Sequence, residues 1–225
     1  MVTIPKVLGA VALAAVALYW FGARARGSAA VVVPAPVVDA PRAAGGERQT
    51  VVLSGGCFWG VEAVFRHVRG VAEATSGYAG GSADTASYER VSEGNTGHAE
   101  SVRVTFDPAQ ISLGQVLQVF FSVAHDPTEV NRQGPDTGTQ YRSAIFVNSA
   151  AQRRVVDAYI AQLDKAKVFP RPIATEVASL AAFYPAEAYH QNYAALHPHN
   201  PYIMINDAPK VTHLRELFPA LYRAP

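Results

Sequence analysis

One cysteine in 225 residues denies this chain any disulfide of its own, so whatever it folds into must be held by a hydrophobic core. That cysteine stands in Gly55-Gly56-Cys57-Phe58-Trp59-Gly60, set between glycines and followed by two aromatics. Upstream, Thr50 to Leu53 reads as a short buried strand; downstream, Phe58, Val61, Val64, Phe65 and Val68 recur with the period of one helix face. Cys57 is therefore predicted at a strand-to-helix turn, where paired glycines permit a sharp bend and the first helical N–H groups lack partners within the helix. Those groups and the helix dipole favour negative charge, which for cysteine means the attacking thiolate. From a free pKa of about 8.5, roughly 3% of a thiol is ionised at neutral pH, and lowering it to about 7 ionises half. The expectation is an acidified nucleophile beside two outward-looking aromatics. The alternative is a small buried hydrophobe, a frequent fate of free cysteine.

A formal net charge of +1 with 16% charged residues provides no basic field for nucleic acid and no acidic solvating tail. Hydrophobic content of 49%, including ten Phe and ten Tyr, suffices for one domain over residues 50–225, and no repeat period recurs. Residues 1–26 differ from the rest: Lys6, an uncharged apolar run from Val7 to Ala23, then Arg24 and Arg26. This is a signal peptide or a membrane anchor, since residues 7–23 lie at the lower limit for spanning hydrocarbon and are long for a signal core. Ala23 and Ala25 offer a cleavage site, but the adjacent arginines disfavour it. An uncleaved anchor facing the periplasm is expected, with cleaved export as the alternative; positive charge on both flanks leaves the orientation open. Residues 27–49, with Pro34, Pro36 and Pro41 and no aromatics, read as a linker unable to build a core. In an oxidising compartment a lone thiol is either reactive or meant for another molecule.

Glu73 to Gly81 reads as a strand and Ser82 to Gly97 as a polar loop holding Tyr88. Val102, Val104 and Phe106 alternate with Ser101, Arg103 and Thr105 as a half-buried strand, with Glu100 at its entrance. Ser112 caps a helix presenting Leu113, Val116, Leu117, Phe120 and Phe121, and Asp126 to Tyr141 is a long binding-loop candidate. Arg142 to Val147 is a strand, and Val155, Val156, Tyr159, Ile160 and Leu163 mark a helix. Ala174 to Leu180 is a last strand, Glu187 to Leu196 contains a short helix, and the tail from Ile203 has its helix limited by Pro209 and Pro219. The mixture predicts an α+β domain: a two-layer α/β sandwich of the ferredoxin-like plait type, with a mixed sheet and an extended C-terminal tail.

A nucleophile needs a proton donor or base. His98 and Glu100, two residues apart at a strand start, share a face, although ordinary polarity accounts for them equally well. His190, His197 and His199 match no zinc spacing, so no metal is expected. Asp136 to Arg142 places polar groups in the long loop, and by itself is only loop chemistry.

Four stretches, in order, carry a family resemblance: Gly56-Cys57-Phe58-Trp59-Gly60, Gly97-His98-Ala99-Glu100, Asp136-Thr137-Gly138-Thr139-Gln140-Tyr141-Arg142-Ser143 and Tyr189-His190-Gln191-Asn192-Tyr193. Together they resemble the A-type peptide methionine sulfoxide reductases over about residues 50–205. The resemblance implies reduction of S-epimer methionine sulfoxide, free or in oxidised proteins, to methionine. It implies that Cys57 attacks the sulfoxide sulfur, Glu100 protonates the oxygen, and Tyr88 and Tyr141 hydrogen-bond it. Phe58 and Trp59 would cage the substrate methyl, Asp136 would place the substrate, and His190 and Tyr193 would line the cleft. The acid role makes a physical demand, because raising a glutamate from about 4.3 to 7 takes roughly 3.7 kcal/mol of preference for the neutral form.

Cys57 would end as a sulfenic acid. Many relatives resolve it with a second cysteine near the C-terminus, after a Gly-Tyr pair; here Pro201-Tyr202-Ile203 stands and no thiol follows. No bound cofactor is implied, and the reductant is external: thioredoxin, a periplasmic thiol protein, glutathione or another small thiol. Two other readings remain at this stage, a cysteine hydrolase and a non-catalytic binder of oxidised methionine peptides.

Overall fold

A computed structural model describes residues 30–40 and 47–224. The domain opens with β1 (Gln49–Gly55), buried from Val51 onward, and turns into α1 (Phe58–Arg66) and then β2 (Val71–Ala79). A short α2 (Tyr88–Ser92) leads into β3 (Ala99–Phe106), and α3 (Leu113–Val119) continues as a π-turn over Phe120–Ala124. A small hairpin, β4 (Arg132–Gln133) with β5 (Asp136–Thr137), precedes β6 (Ser143–Val147) and α4 (Ala150–Lys165). β7 (Glu176–Ser179), β8 (Phe183–Pro185), α5 (Tyr193–Leu196) and α6 (Ala208–Leu217) complete the order.

Six strands form one sheet in the order β7-β6-β1-β3-β2-β8. Its β6–β7 pair is parallel and its other pairs are antiparallel, giving the mixed sheet of the expected α+β class. Period-two alternation assigns the faces. Val51 and Leu53 of β1 and Val102 and Val104 of β3 join Val61, Val64 and Phe65 of α1 in the main core. Each fully buried side chain of this size contributes about 1.5–3 kcal/mol. Val52, Ala99, Ala144 and Phe146 line the reverse face, where Leu180 and Phe183 cover them. Because Glu100 is in phase with Val102 and Val104, its carboxyl is carried to the main core side, opposite Tyr78 in the β2–β3 register. Ser112 begins α3 with a capping box, its hydroxyl accepting from the Gln115 amide at 3.2 Å while the Gln115 side chain accepts from the Ser112 N–H at 3.1 Å.

Three expectations need correction. Residues 30–40, read as part of a linker without a core, are docked. Val33 is fully buried, Val31 N–H donates to the Ser122 carbonyl at 3.1 Å, and the Tyr159 hydroxyl donates to the Pro34 carbonyl at 2.7 Å. The Gln162 amide brackets the Ala35 carbonyl and the Val37 N–H, each at 2.8 Å, and Asp39 accepts from Gly114 N–H at 2.8 Å in the first turn of α3. An extended proline-rich segment satisfies its backbone through side chains distant in sequence, which its own composition does not reveal. The folded unit therefore takes in this strap. The expected anchor over residues 1–26 lies outside the described residues, among which no helix is long and apolar enough to cross a membrane.

The tail is the second correction. Read as extended, it instead carries the helix α6, bounded as expected by Pro209 in its first turn and Pro219 just past its end. The chain then returns to α1, with Tyr222 bridging to Val68. Third, the two loops are not bare: Ser82 to Gly97 contains α2, and Asp126 to Tyr141 contains the β4–β5 hairpin and a 3₁₀ turn at Thr139–Tyr141. In the hairpin, Gln133 exchanges two 3.0 Å hydrogen bonds with the Asp126 backbone, replacing ladder bonds that a strand this short cannot supply.

Candidate active site

Cys57 is the N-cap residue of α1, as the strand-to-helix reading expects. Gly56 reaches the turn at φ +88°, and a Cβ there would strike the Gln133 side chain, so both conformation and space call for glycine. Gly60 in the first turn of α1 is a second such position, because a Cβ would run into the Asp207 carboxylate and the Lys210 ammonium.

The expected acidified thiol is not what this turn produces. Cys57 is buried, and its thiol is pushed well above the ordinary range, first by burial and then by the carboxylates of Glu100 and Asp207; the Trp59 N–H and Lys210 oppose them and lose. Besides burial, the helix start is shared with a second acceptor. The Phe58 N–H, a free group that would favour the thiolate, donates instead to Glu100 Oε2 at 3.0 Å. The outward-looking aromatics also differ from expectation: Phe58 is buried against Tyr78 and His190, while Trp59 is half-buried.

Glu100 is 3% exposed, and its carboxyl is pushed up to about 8 by burial, against the Phe58 N–H that lowers it, with Asp136 and Asp207 adding like-charge pressure. It is therefore largely protonated at neutral pH, as a proton donor must be. Tyr88 and Tyr141 are both raised, first by burial and next by Glu100, and each also feels Cys57, which places the two phenols around the same pair of groups. Asp136 is raised by burial and accepts a short hydrogen bond from the Tyr202 hydroxyl. His98 does not join them. Its Nδ1 accepts from Gly81 N–H at 3.2 Å and its Nε2 lies 2.9 Å from the Ser82 carbonyl, so it clamps the turn after β2.

The stretch from Tyr189 to Tyr193 turns out to hold Trp59. His190 Nδ1 accepts from the Trp59 indole at 3.1 Å, and Tyr193 stacks on the indole at 3.8 Å between centroids. Burial lowers His190, so it is held neutral. Gln191 imitates a strand residue beside β2, accepting from Ser76 N–H and donating to the Ser76 carbonyl, both at 3.0 Å. Asn192 takes the left-handed conformation at φ 56°, and its N–H donates to Glu62 at 2.9 Å. Tyr88 N–H and the Tyr78 hydroxyl donate to Glu187, each at 2.9 Å, closing the layer behind the aromatics.

A cavity of about 110 Å³ opens on Cys57 between the β4–β5 hairpin and the tail, with Asp136, Tyr202 and Lys210 in its wall. A larger cavity of about 810 Å³ lies beyond Trp59, along α1 and α6, and its walls do not include Cys57. Tyr202, Asp207 and Lys210 are residues that sequence reasoning did not assign. A tyrosine, an aspartate and a lysine in a polar tail look like surface groups, and only the buried α6 packing brings them to the thiol. No group of three His, Cys, Asp or Glu side chains is placed to hold a metal among the described residues.

A two-layer α+β domain that buries one cysteine beside a protonated glutamate, under an aromatic-walled turn, defines an oxidoreductase acting through a thiol. The sequence matches the profile of the family described as "Peptide methionine sulfoxide reductase" over residues 49–220. This chain belongs to that family, in its A-type branch. It is 57% identical over 174 residues to "Peptide methionine sulfoxide reductase MsrA 2" of Mesorhizobium japonicum, covering 77% of this chain and 89% of that one. A protein of the same description from Synechocystis sp. is 51% identical over 189 residues, covering 83% and 88%. Among solved structures, reduced Mxr1 of Saccharomyces cerevisiae aligns with a TM-score of 0.62 and 34% identity, covering 70% of this chain and 90% of that one. Methionine sulfoxide reductase A of Corynebacterium diphtheriae aligns with a TM-score of 0.58 and 34% identity, covering 79% and 90%.

Proposed function

We propose that this enzyme reduces the S-epimer of methionine sulfoxide, in proteins or free, with Cys57 as nucleophile and Glu100 as acid. The observation that carries the assignment is Glu100 itself, a buried carboxyl raised to about 8 and bonded to the first amide of the helix that Cys57 caps. A bond forms from the Cys57 thiolate to the sulfoxide sulfur as Glu100 gives its proton to the oxygen. The hydroxyl then passes to Cys57, leaving methionine, a Cys57 sulfenic acid and a Glu100 carboxylate; the substrate sulfur is reduced and the cysteine sulfur oxidised by two electrons. Tyr88 and Tyr141, raised and so fully protonated, hydrogen-bond the same oxygen. Phe58 and Trp59, 6.4 Å apart between centroids, hold the methyl group, and Trp59 is itself held by His190 and Tyr193. Asp136 takes the substrate backbone N–H once Tyr202 releases it. The fixed methyl site decides which sulfur face meets the thiolate, and hence the epimer.

With one cysteine in the sequence, the sulfenic acid is reduced by an external thiol, a thioredoxin-like protein or a small thiol. The apolar run at residues 7–23 makes the enzyme a periplasmic, membrane-anchored one; release of the full-length protein without detergent would count against the anchor. Turnover of a dabsylated methionine sulfoxide mixture, first with dithiothreitol and then with thioredoxin and its reductase, tests activity, epimer choice and recycling together. Consumption of the S-epimer alone is expected, and absence of methionine under every thiol sinks the assignment.

A further inference from the structure

The thiolate required of Cys57 faces a hostile charge environment. Glu100 from β3 and Asp207 from the start of α6 raise the thiol, Asp126, Asp136 and Glu129, the last paired with Arg132 at 3.3 Å, line the cavity from the hairpin side, and the phenols of Tyr88, Tyr141 and Tyr202 feel the charge of Cys57. Against these, Lys210 is the one cation in the wall of the cavity that opens on Cys57, among the described residues. Its ammonium lies 3.3 Å from Asp207 Oδ1, and the pair is seated on the first turn of α1 at Gly60, where even a methyl group would collide with both. Asp207 is fully buried, and its second oxygen, Oδ2, has no hydrogen-bond partner among the described residues. An ion pair buried with one acceptor unsatisfied is poor value for stability alone.

We propose that Lys210 is a positioning residue for the reaction: its ammonium, tethered by Asp207 at the cost of that carboxylate's own repulsion, stands as the counter-cation of the Cys57 thiolate. The inference rests on the reading of Cys57 as the nucleophile and adds to it a residue that serves both halves of the cycle. In the first half the cation supports the thiolate that attacks the sulfoxide. In the second half the reductant thiolate attacks the sulfenic sulfur; a sulfur–sulfur bond forms, the sulfur–oxygen bond breaks, and the oxygen leaves as water after taking up protons. A second reductant thiolate then attacks the reductant sulfur of this mixed disulfide. The electron pair leaves on Cys57, whose departure as a thiolate the same cation assists. A chain without a resolving cysteine depends on that departure at every turnover. The structure supplies the cation from the tail segment in which many relatives carry the resolving thiol.

The test is the pH profile of Cys57 alkylation by iodoacetamide in the full chain, for the wild type, Lys210→Met, Lys210→Arg and Asp207→Asn. It is measured beside methionine release in one turnover without added thiol. Loss of the cation is expected to move the alkylation midpoint up by about one pH unit, a tenfold loss of thiolate at a given pH. Lys210→Arg is expected to stay close to the wild type, and Asp207→Asn to move the midpoint down. Where Lys210→Met lowers the melting temperature, Lys210→Gln, which keeps a hydrogen bond to Asp207 without the charge, carries the same comparison. A folded Met or Gln variant whose profile overlies the wild type, or an Arg variant displaced as far as Met, overturns the proposal. Failure of the wild type to release methionine would instead remove the enzymatic reading, and the alkylation profiles would still report on Lys210.

Discussion

The wall of the site that comes from the sheet and α1 is hydrogen-bonded to distant parts of the chain, whereas the wall that comes from residues 198–217, though packed on α1, is hydrogen-bonded mostly within its own segment. Glu100 is fixed by strand register and by the Phe58 amide, and Trp59 by His190 and Tyr193, which are in turn pinned through Gln191 and Asn192. Tyr202 N–H donates to Asn200, Asn206 donates to the Tyr202 carbonyl, and Lys210 pairs with Asp207, all within the tail. Its bond across the cleft is the Tyr202 hydroxyl to Asp136. The difference separates two duties: the sheet side holds atoms for chemistry, and the tail side sets charge and access.

Glu100→Gln is the most direct way to break this division. It keeps an acceptor for Phe58 but removes the proton, and single-turnover methionine release should fall by roughly 10²- to 10⁴-fold. A variant near wild-type rate in rapid-quench measurement would take Glu100 out of the chemistry. The same substitution tests the environment of the carboxyl through stability. Because its folded-state pKa of about 8 lies above the unfolded value, the native state keeps a proton that the unfolded chain releases over that window. Stability should therefore fall as pH rises from about 4.5 to about 8, by a few kcal/mol, and Glu100→Gln should flatten that slope in urea titrations at pH 5 and pH 9. An unchanged slope would mean the carboxyl is not buried as described.

Smaller effects sharpen the comparison. Removing the stacked ring in Tyr193→Ala should free Trp59 and raise KM for a sulfoxide peptide by about two- to tenfold, from a pair worth about 0.5–1.5 kcal/mol. An effect confined to kcat would place Tyr193 elsewhere in the cycle. Tyr202→Phe breaks the tail's bond to Asp136 and should lower KM for peptides a few-fold, since a net hydrogen bond is worth about 0.5–1.5 kcal/mol. A raised KM would show that the phenol binds substrate instead of guarding the carboxylate.

The sheet side was legible because its information is local. Alternation in residues 101–106 puts Glu100 in phase with the core, glycines mark the turn, and the period of Phe58, Val61, Val64 and Phe65 marks the helix. The ionisation of Cys57 was not, because it depends first on burial of the thiol and then on Glu100 and Asp207, carboxylates 43 and 150 residues further along the chain. Tyr202, Asp207 and Lys210 escaped for a similar reason: Asp207 and Lys210 pack on Gly60 and Tyr202 lies edge-on to Trp59, placements that no pattern of their own reveals. The strap escaped because Ser122, Tyr159 and Gln162, which satisfy its backbone, belong to helical segments that look complete without it.

That strap also sets a length scale. The described chain is already fastened to the domain at Val31, so an anchor ending at Ala23 would leave residues 24–30 as its tether. Fully extended, such a tether reaches roughly 25 Å. If residues 7–23 do anchor the chain as proposed, so short a leash would confine repair to what passes close to the bilayer surface, and access to oxidised proteins would be decided by height above the membrane as much as by affinity.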